Sequence, residues 1–148
     1  FQVIEHLWDQ GQFAAECLRV LRPGGVLLMS TPNRITFSPG RDTPINPFHT
    51  RELNAEELTE LLTAAGFGIE GVYGVFHGQR LTELDERHGG SIIDAQIARA
   101  LADAPWSDDL LDDVASVTTD DFDLMEADGR NSPDINESLD LVAIAVRP

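Results

Sequence analysis

His6 follows Glu5 directly, and His49 sits in Pro47-Phe48-His49-Thr50 inside a stretch crowded with prolines. An unperturbed imidazole titrates near neutral pH, so His6 or His49 could take a proton from an acceptor group as a general base. The simpler alternative is equally open: Glu5 near a helix start, His6 satisfying a backbone carbonyl, His49 a surface loop residue. Arg34, Arg41 and Arg51 flank the same stretch. Their paired donors suit a carboxylate or phosphate, although loop arginines also stand solvated or pair with neighbours. The acids Asp108, Asp109, Asp112, Asp113, Asp120, Asp121 and Asp123 lack the regular D-x-D-x-D-G loop and following Glu of a calcium site, and read as a solvated helix face. A single cysteine, Cys17, excludes an intrachain disulfide and a multi-cysteine zinc site.

The elements that would position these groups follow from hydrophobic spacing. Residues 1–4 read as the end of a buried strand. Ala14, Cys17, Leu18 and Leu21 make one helical face, stopped by Pro23-Gly24-Gly25. Val26-Leu27-Leu28-Met29-Ser30 is a continuous apolar run, as in a central parallel strand covered on both faces. Residues 34–50, with Pro39, Gly40, Pro44 and Pro47, predict a long loop. Asn54 and Glu57 make an imperfect capping box before a helix with Leu58, Leu61, Leu62 and Ala65 inside, ended by Gly66. Ile69 to Val75 predicts a strand, so the order so far implies a parallel sheet with right-handed crossovers. Beyond it, His77 and His88 lie among Gly78, Gly89 and Gly90 in a segment that reads as a mobile surface loop. One helix carries Ile93, Ile97, Ala100 and Leu101, another is capped by Ser107, residues 127–138 form a polar loop, and Leu139 to Val146 closes the chain as a buried strand. Trp8 and Trp106 are expected to pack.

The chain has 148 residues, enough for one domain. Its ten basic residues are all arginine, and 26 acids bring the net charge to −16, with 13 of those acids in residues 103–148. Such a field repels nucleic acid and anionic membrane surfaces. No apolar run approaches the roughly 18 to 20 residues that span a bilayer. The lone cysteine makes the cytoplasm the expected compartment, while Phe1-Gln2-Val3-Ile4 reads as neither a start nor a signal peptide, so the sequence is expected to begin inside a longer one.

Three segments, in order, resemble one family. Gln2-Val3-Ile4-Glu5-His6-Leu7 is similar to the end of strand four of the class I S-adenosylmethionine-dependent methyltransferases. Leu18-Arg19-Val20-Leu21-Arg22-Pro23-Gly24-Gly25 is similar to the turn before strand five, and Ser30-Thr31-Pro32-Asn33 to that strand's exit. The resemblance implies an α/β fold: part of a Rossmann-like methyltransferase sheet, neighbours 4-5-7-6 with the last strand antiparallel, and residues 76–138 a variable, acidic, helical insertion within a single domain spanning 1–148. It implies the C-terminal half only, since the glycine-rich loop and the acid that holds the cofactor ribose have no counterpart here and a complete domain needs on the order of 100 more residues. The edge beginning at Phe1 would then be raw and open to homodimerisation.

By the same resemblance the activity is methyl transfer from S-adenosyl-L-methionine to a small-molecule acceptor, O-methylation favoured. Phe1, Gln2 and Val3 would run beside the cofactor's methionine part. Relatives with an E-x-x-E-H run bind a divalent cation such as Mg, which implies Glu5, His6 and His49 as ligands here, with Gln2 standing where the first acid would be. The alternative is a non-catalytic α/β interaction module that kept the sheet.

Overall fold

The computed structural model describes residues 1–126 and 133–148. The polar loop expected over 127–138 therefore lies partly outside the described residues. Two compact units emerge, Phe1–Phe76 with Leu124–Pro148, and His77–Asp123.

β1 (Val26–Pro32), β2 (Gly68–His77), β3 (Phe122–Glu126) and β4 (Asp140–Val146) form a sheet in the order β1-β4-β2-β3. β4 runs antiparallel to both β1 and β2, with Val26 opposite Val146 and Pro32 opposite Asp140 on one side and Val75 opposite Asp140 on the other. β1 and β2 are thus parallel to each other with the last strand between them, the 5-7-6 part of the expected order. β3 is an added neighbour of β2 that the acidic composition of its segment concealed.

One face of the sheet is closed by α1 (Gln10–Val20) and α3 (Ala55–Ala64). Ala14, Met29, Leu58, Leu62, Phe67, Leu141, Ala143 and Ala145 are buried together there. Small side chains at 143 and 145 let the helices approach β4 closely, and the alternation along β4 is that of a half-buried strand. α1 starts at Asp9, whose carboxylate accepts from Gln12 N at 2.8 Å. α3 carries a complete capping box: Glu57 N donates to Asn54 Oδ1 at 2.8 Å and Asn54 N to Glu57 Oε2 at 2.9 Å. Gly24, at φ 74, makes the turn into β1 and donates to Arg147 O at 2.8 Å. At Gly74 any Cβ would lie 2.6 Å from that of Ser138, so the approach of 138 to β2 requires glycine.

In the first unit four expectations are corrected. Residues 1–4 are not a strand: Gln2 N donates to Ser30 O at 3.0 Å, but Gln2 turns to φ 52 and the chain winds into a 3-10 turn at Ile4–His6, so no ladder propagates. β1 is not covered on both faces, because Val26 and Leu28 are each 51% exposed. The 34–50 stretch opens with a short helix, α2 (Arg34–Phe37), which the Asn33 side chain caps through Ile35 N at 3.2 Å. Trp8 does not pack but is 93% exposed, placed in the turn before α1 and outside that helix's apolar stripe.

The second unit contains α4 (Gln79–Arg87), α5 (Ile92–Leu101) and α6 (Asp108–Ser116). Leu81, Leu84, Ile92 and Leu110 form its own core, with Trp106 packed against them. α4 replaces the loop expected around His77 and His88, and both histidines are tied to acids: His77 Nδ1 to Asp85 Oδ2 at 2.5 Å, His88 Nε2 to Asp113 Oδ2 at 2.8 Å.

Candidate active site

Two loops meet at the carboxyl end of β1 and are stitched mainly through backbone carbonyls. Glu5 O accepts from Thr50 N at 2.7 Å, and Thr50 Oγ1 donates to Leu7 O at 2.6 Å. The buried Gln10 amide donates to Ile4 O at 2.9 Å and to Arg51 O at 2.8 Å. These bonds fix the 3-10 turn that carries Glu5 and His6 against the segment that carries His49.

The structure brings all three residues together. One ligand atom of each lies within 4.8 Å of the others, and the His6 and His49 rings meet edge to face with centroids 4.8 Å apart. Glu5 is buried, with Oε2 accepting from Thr31 Oγ1 at 3.2 Å. His6 Nδ1 donates to Phe48 O at 3.0 Å, which leaves the lone pair of a neutral ring on Nε2, 3.8 Å from Glu5 Oε1. The satisfied carbonyl of the simpler reading is therefore present, yet it orients the imidazole and leaves Nε2 open on a side chain 43% exposed.

His49 is held from both ends. Nδ1 lies 2.6 Å from Glu52 Oε1, and Nε2 lies 3.0 Å from Asn46 Nδ2. Asn46 Oδ1 accepts from Phe48 N at 3.0 Å, so its amide nitrogen faces the ring and donates. That assigns the Nδ1–H tautomer to His49. Its side chain is 5% exposed and that of Glu52 0%, so His49 is no surface loop residue. Glu52 and Asn46 were missed in the sequence; the His-x-x-Glu spacing was the only signal.

A cation at this cluster would find Glu5 Oε1 and His6 Nε2 open, but His49 could join only by giving up Asn46. The Gln2 side chain is turned toward the Asp140 carboxyl. Burial pushes the Asp140 carboxyl above the usual range and the neighbouring Glu5 charge adds to this, while the Gln2 side chain opposes it. Of the residues expected beside the cofactor, Phe1 is 76% and Val3 44% exposed, and the Gln2 N–H is spent on Ser30. Phe1, Val3, Phe13 and Leu28 share an apolar cavity of about 160 Å³. Ser30 also lines it.

Arg34 and Arg51 both reach Glu57, Nε to Oε2 at 3.3 Å and Nη2 to Oε1 at 3.6 Å. The Glu57 carboxyl is opposed by burial, but the Asn54 backbone bond and the two guanidiniums outweigh this and hold it below the usual range.

Residues 1–29 match the methyltransferase domain family. All 148 residues align at 74% identity with a probable S-adenosylmethionine-dependent methyltransferase of Mycolicibacterium smegmatis, covering 56% of its length. They align at 67% with another so named from Mycobacterium tuberculosis, covering 53%. The chain thus spans about half the length of these relatives. Among solved structures it is similar to the [4+2]-cyclase SpnF, at TM-score 0.46 and 22% identity over 99% of this chain and 48% of that one. It is also similar to Haemonchus contortus phosphoethanolamine N-methyltransferase 2 in complex with S-adenosyl-L-methionine, at TM-score 0.42 and 18% identity over 99% of this chain and 32% of that one. No helix among the described residues is long and apolar enough to cross a membrane. Along its whole length, the chain is similar in sequence to proteins named as S-adenosylmethionine-dependent methyltransferases, the resemblance its own motifs carry.

Proposed function

We propose that this chain supplies the acceptor side of an S-adenosylmethionine-dependent methyltransferase acting on a small molecule, with an oxygen as the methylated atom and His6 as general base. The observation that carries this reading is the open Nε2 of His6, beside the buried Glu5 and His49, while Phe48 O fixes the other ring nitrogen. Displacement at a sulfonium methyl needs an aligned nucleophile freed of its proton. His6 Nε2 would take that proton; Glu5, 3.8 Å away, would favour the imidazolium so formed. His49, locked between Glu52 and Asn46, would wall the site and keep the His6 ring edge-on.

The same place suits a divalent cation, held by Glu5 and His6 with His49 as third ligand once Asn46 lets go; bound there, it would lower the pKa of an acceptor hydroxyl. The exposed Val26 and Leu28 on β1 support self-association along that strand as part of the same proposal.

The test uses a protein of the relatives' length carrying this sequence, radiolabelled cofactor and a small-molecule extract as acceptor source. His6→Gln should lower transfer by about 10²-fold or more with S-adenosylhomocysteine affinity unchanged. Unchanged transfer in His6→Gln overturns the base assignment; a rate that rises with added Mg and falls with chelator favours the cation.

A further inference from the structure

Beside the His49–Glu52 pair lies a polar cavity of about 310 Å³, lined by Arg34, Arg41, Arg51, Glu52 and Thr50, with Asp42 and Glu57 also on its wall. Three of the chain's ten arginines thus converge on one hollow in a molecule of net charge −16. Arg34 and Arg51 share the single carboxylate of Glu57, and Arg41 has no ion pair among the described residues. Glu52 is 2% exposed; its Oε1 is engaged by His49, and its buried Oε2 has no hydrogen-bond partner. The wall thus carries an unmet cation, and an orphaned carboxylate oxygen lies buried behind it. A guanidinium fork wants an oxyanion, and a buried carboxylate oxygen wants a donor hydrogen.

We propose that this cavity binds a small hydroxylated anion, its phosphate or carboxylate on Arg41 and Arg51 and a hydroxyl donating to Glu52 Oε2 once the buried carboxylate turns toward the cavity. A bare anion satisfies the fork and leaves Oε2 orphaned; a neutral polyol does the reverse; only a molecule carrying both groups meets both demands. The volume lies at the small end of the roughly 300 to 1,000 Å³ usual for ligand pockets, which excludes a large acceptor from full enclosure. Resting on the methyl-transfer reading, the same site names the acceptor class: a hydroxyl compound anchored by its charge, with Glu52 linking the pocket to His49 and so to His6.

The test is titration of sn-glycerol 3-phosphate, inorganic phosphate and glycerol into the full chain, followed by amide chemical shifts. Glycerol phosphate should perturb residues 34–57 and bind about tenfold tighter than phosphate, with glycerol showing no binding. Arg41→Gln, a change at an exposed and unpaired side chain, should weaken glycerol phosphate about tenfold while leaving the spectrum elsewhere intact. Glu52→Gln should reduce the preference over phosphate. Absence of perturbation within 34–57, equal affinities of the two phosphates, or an Arg41→Gln protein that binds like the parent each overturns the proposal. The readout needs no methyl transfer: binding without transfer leaves the pocket standing and removes the enzyme reading, and transfer without binding removes the pocket alone.

Discussion

Glu52 Oε1 lies 2.6 Å from His49 Nδ1 in a pair almost wholly withdrawn from solvent. A carboxylate in that position holds the proton on Nδ1 and turns the lone pair to Nε2, where Asn46 donates. Long-range proton–nitrogen spectra should show the Nδ1–H form of His49 in the parent and a changed tautomer population in Glu52→Gln. An unchanged pattern would mean that Asn46 alone fixes the ring. Because the carboxylate is buried, Glu52→Ala should also cost about 1 to 3 kcal/mol in chemical denaturation.

How much of this was legible depended on distance along the chain. The α3 helix was readable because its cap, Asn54 with Glu57, and its stripe, Leu58 and Leu62, lie within a few residues of each other. The grouping of Glu5, His6 and His49 came only from resemblance, since the bonds that unite them run from Thr50 and Arg51 to Glu5 and leave no periodic signature. Residues 1–4 were misread because an apolar run says nothing about whether a neighbour completes the ladder. Asn33 shows the same limit: it was noticed only as a strand exit, yet its amide reaches Ile135 O at 3.1 Å and Ser138 O at 3.1 Å, about a hundred residues away, tying the end of β1 to the start of β4.

The far end of the chain caps its beginning. Arg147 Nη1 approaches Leu18 O at 3.0 Å, Arg19 O at 3.2 Å and Leu21 O at 2.5 Å, the carbonyls at the C-terminus of α1 that have no helical donor. A cation there also meets the negative end of the helix dipole. Arg147→Met, which keeps the stem, should lower stability by about 1 to 2 kcal/mol, with the earliest loss of amide protection in the last turn of α1. Loss spread evenly over the unit would show that the contact is not specific to the cap.

Leu62 is fully buried between α3 and β4, with Ala143 and Ala145 also at zero exposure. Leu62→Ala should cost about 2 to 5 kcal/mol because the backbone-near alanines cannot swing in to fill the void. A midpoint in urea that moves by less than the equivalent of about 1 kcal/mol would show that the helix collapses onto the sheet.

Two sets of carboxyls give the protein opposite pH responses. Asp140 has its carboxyl pushed up, by burial first and then by the Glu5 charge. The folded state then holds that proton more tightly than the unfolded one, so stability falls as pH rises from the ordinary carboxylate range, about 3.9, through the raised value. Asp140→Asn should remove this fall and raise stability at neutral pH. A steeper fall in the variant would assign the slope to Glu5.

In the helical unit the sign reverses. Asp113 is held below its ordinary range by the His88 hydrogen bond and then by Arg87, and Asp121 by the Thr118 backbone bond and then by Arg80. A lowered carboxyl contributes stability that is complete above the unfolded value and is lost as pH drops through the folded one. Acid titration should therefore unfold the segment His77–Asp123 progressively below about pH 4, read from the amides of α4 and α6. Asp113→Asn should remove the pH dependence that His88 and Arg87 create, leaving the Asp121 part. Since His88 meets Asp113 at 2.8 Å as its neighbour Arg87 does, His88→Gln should flatten the same limb, whereas an acid limb unaltered in both variants would show that these surface pairs carry no linkage.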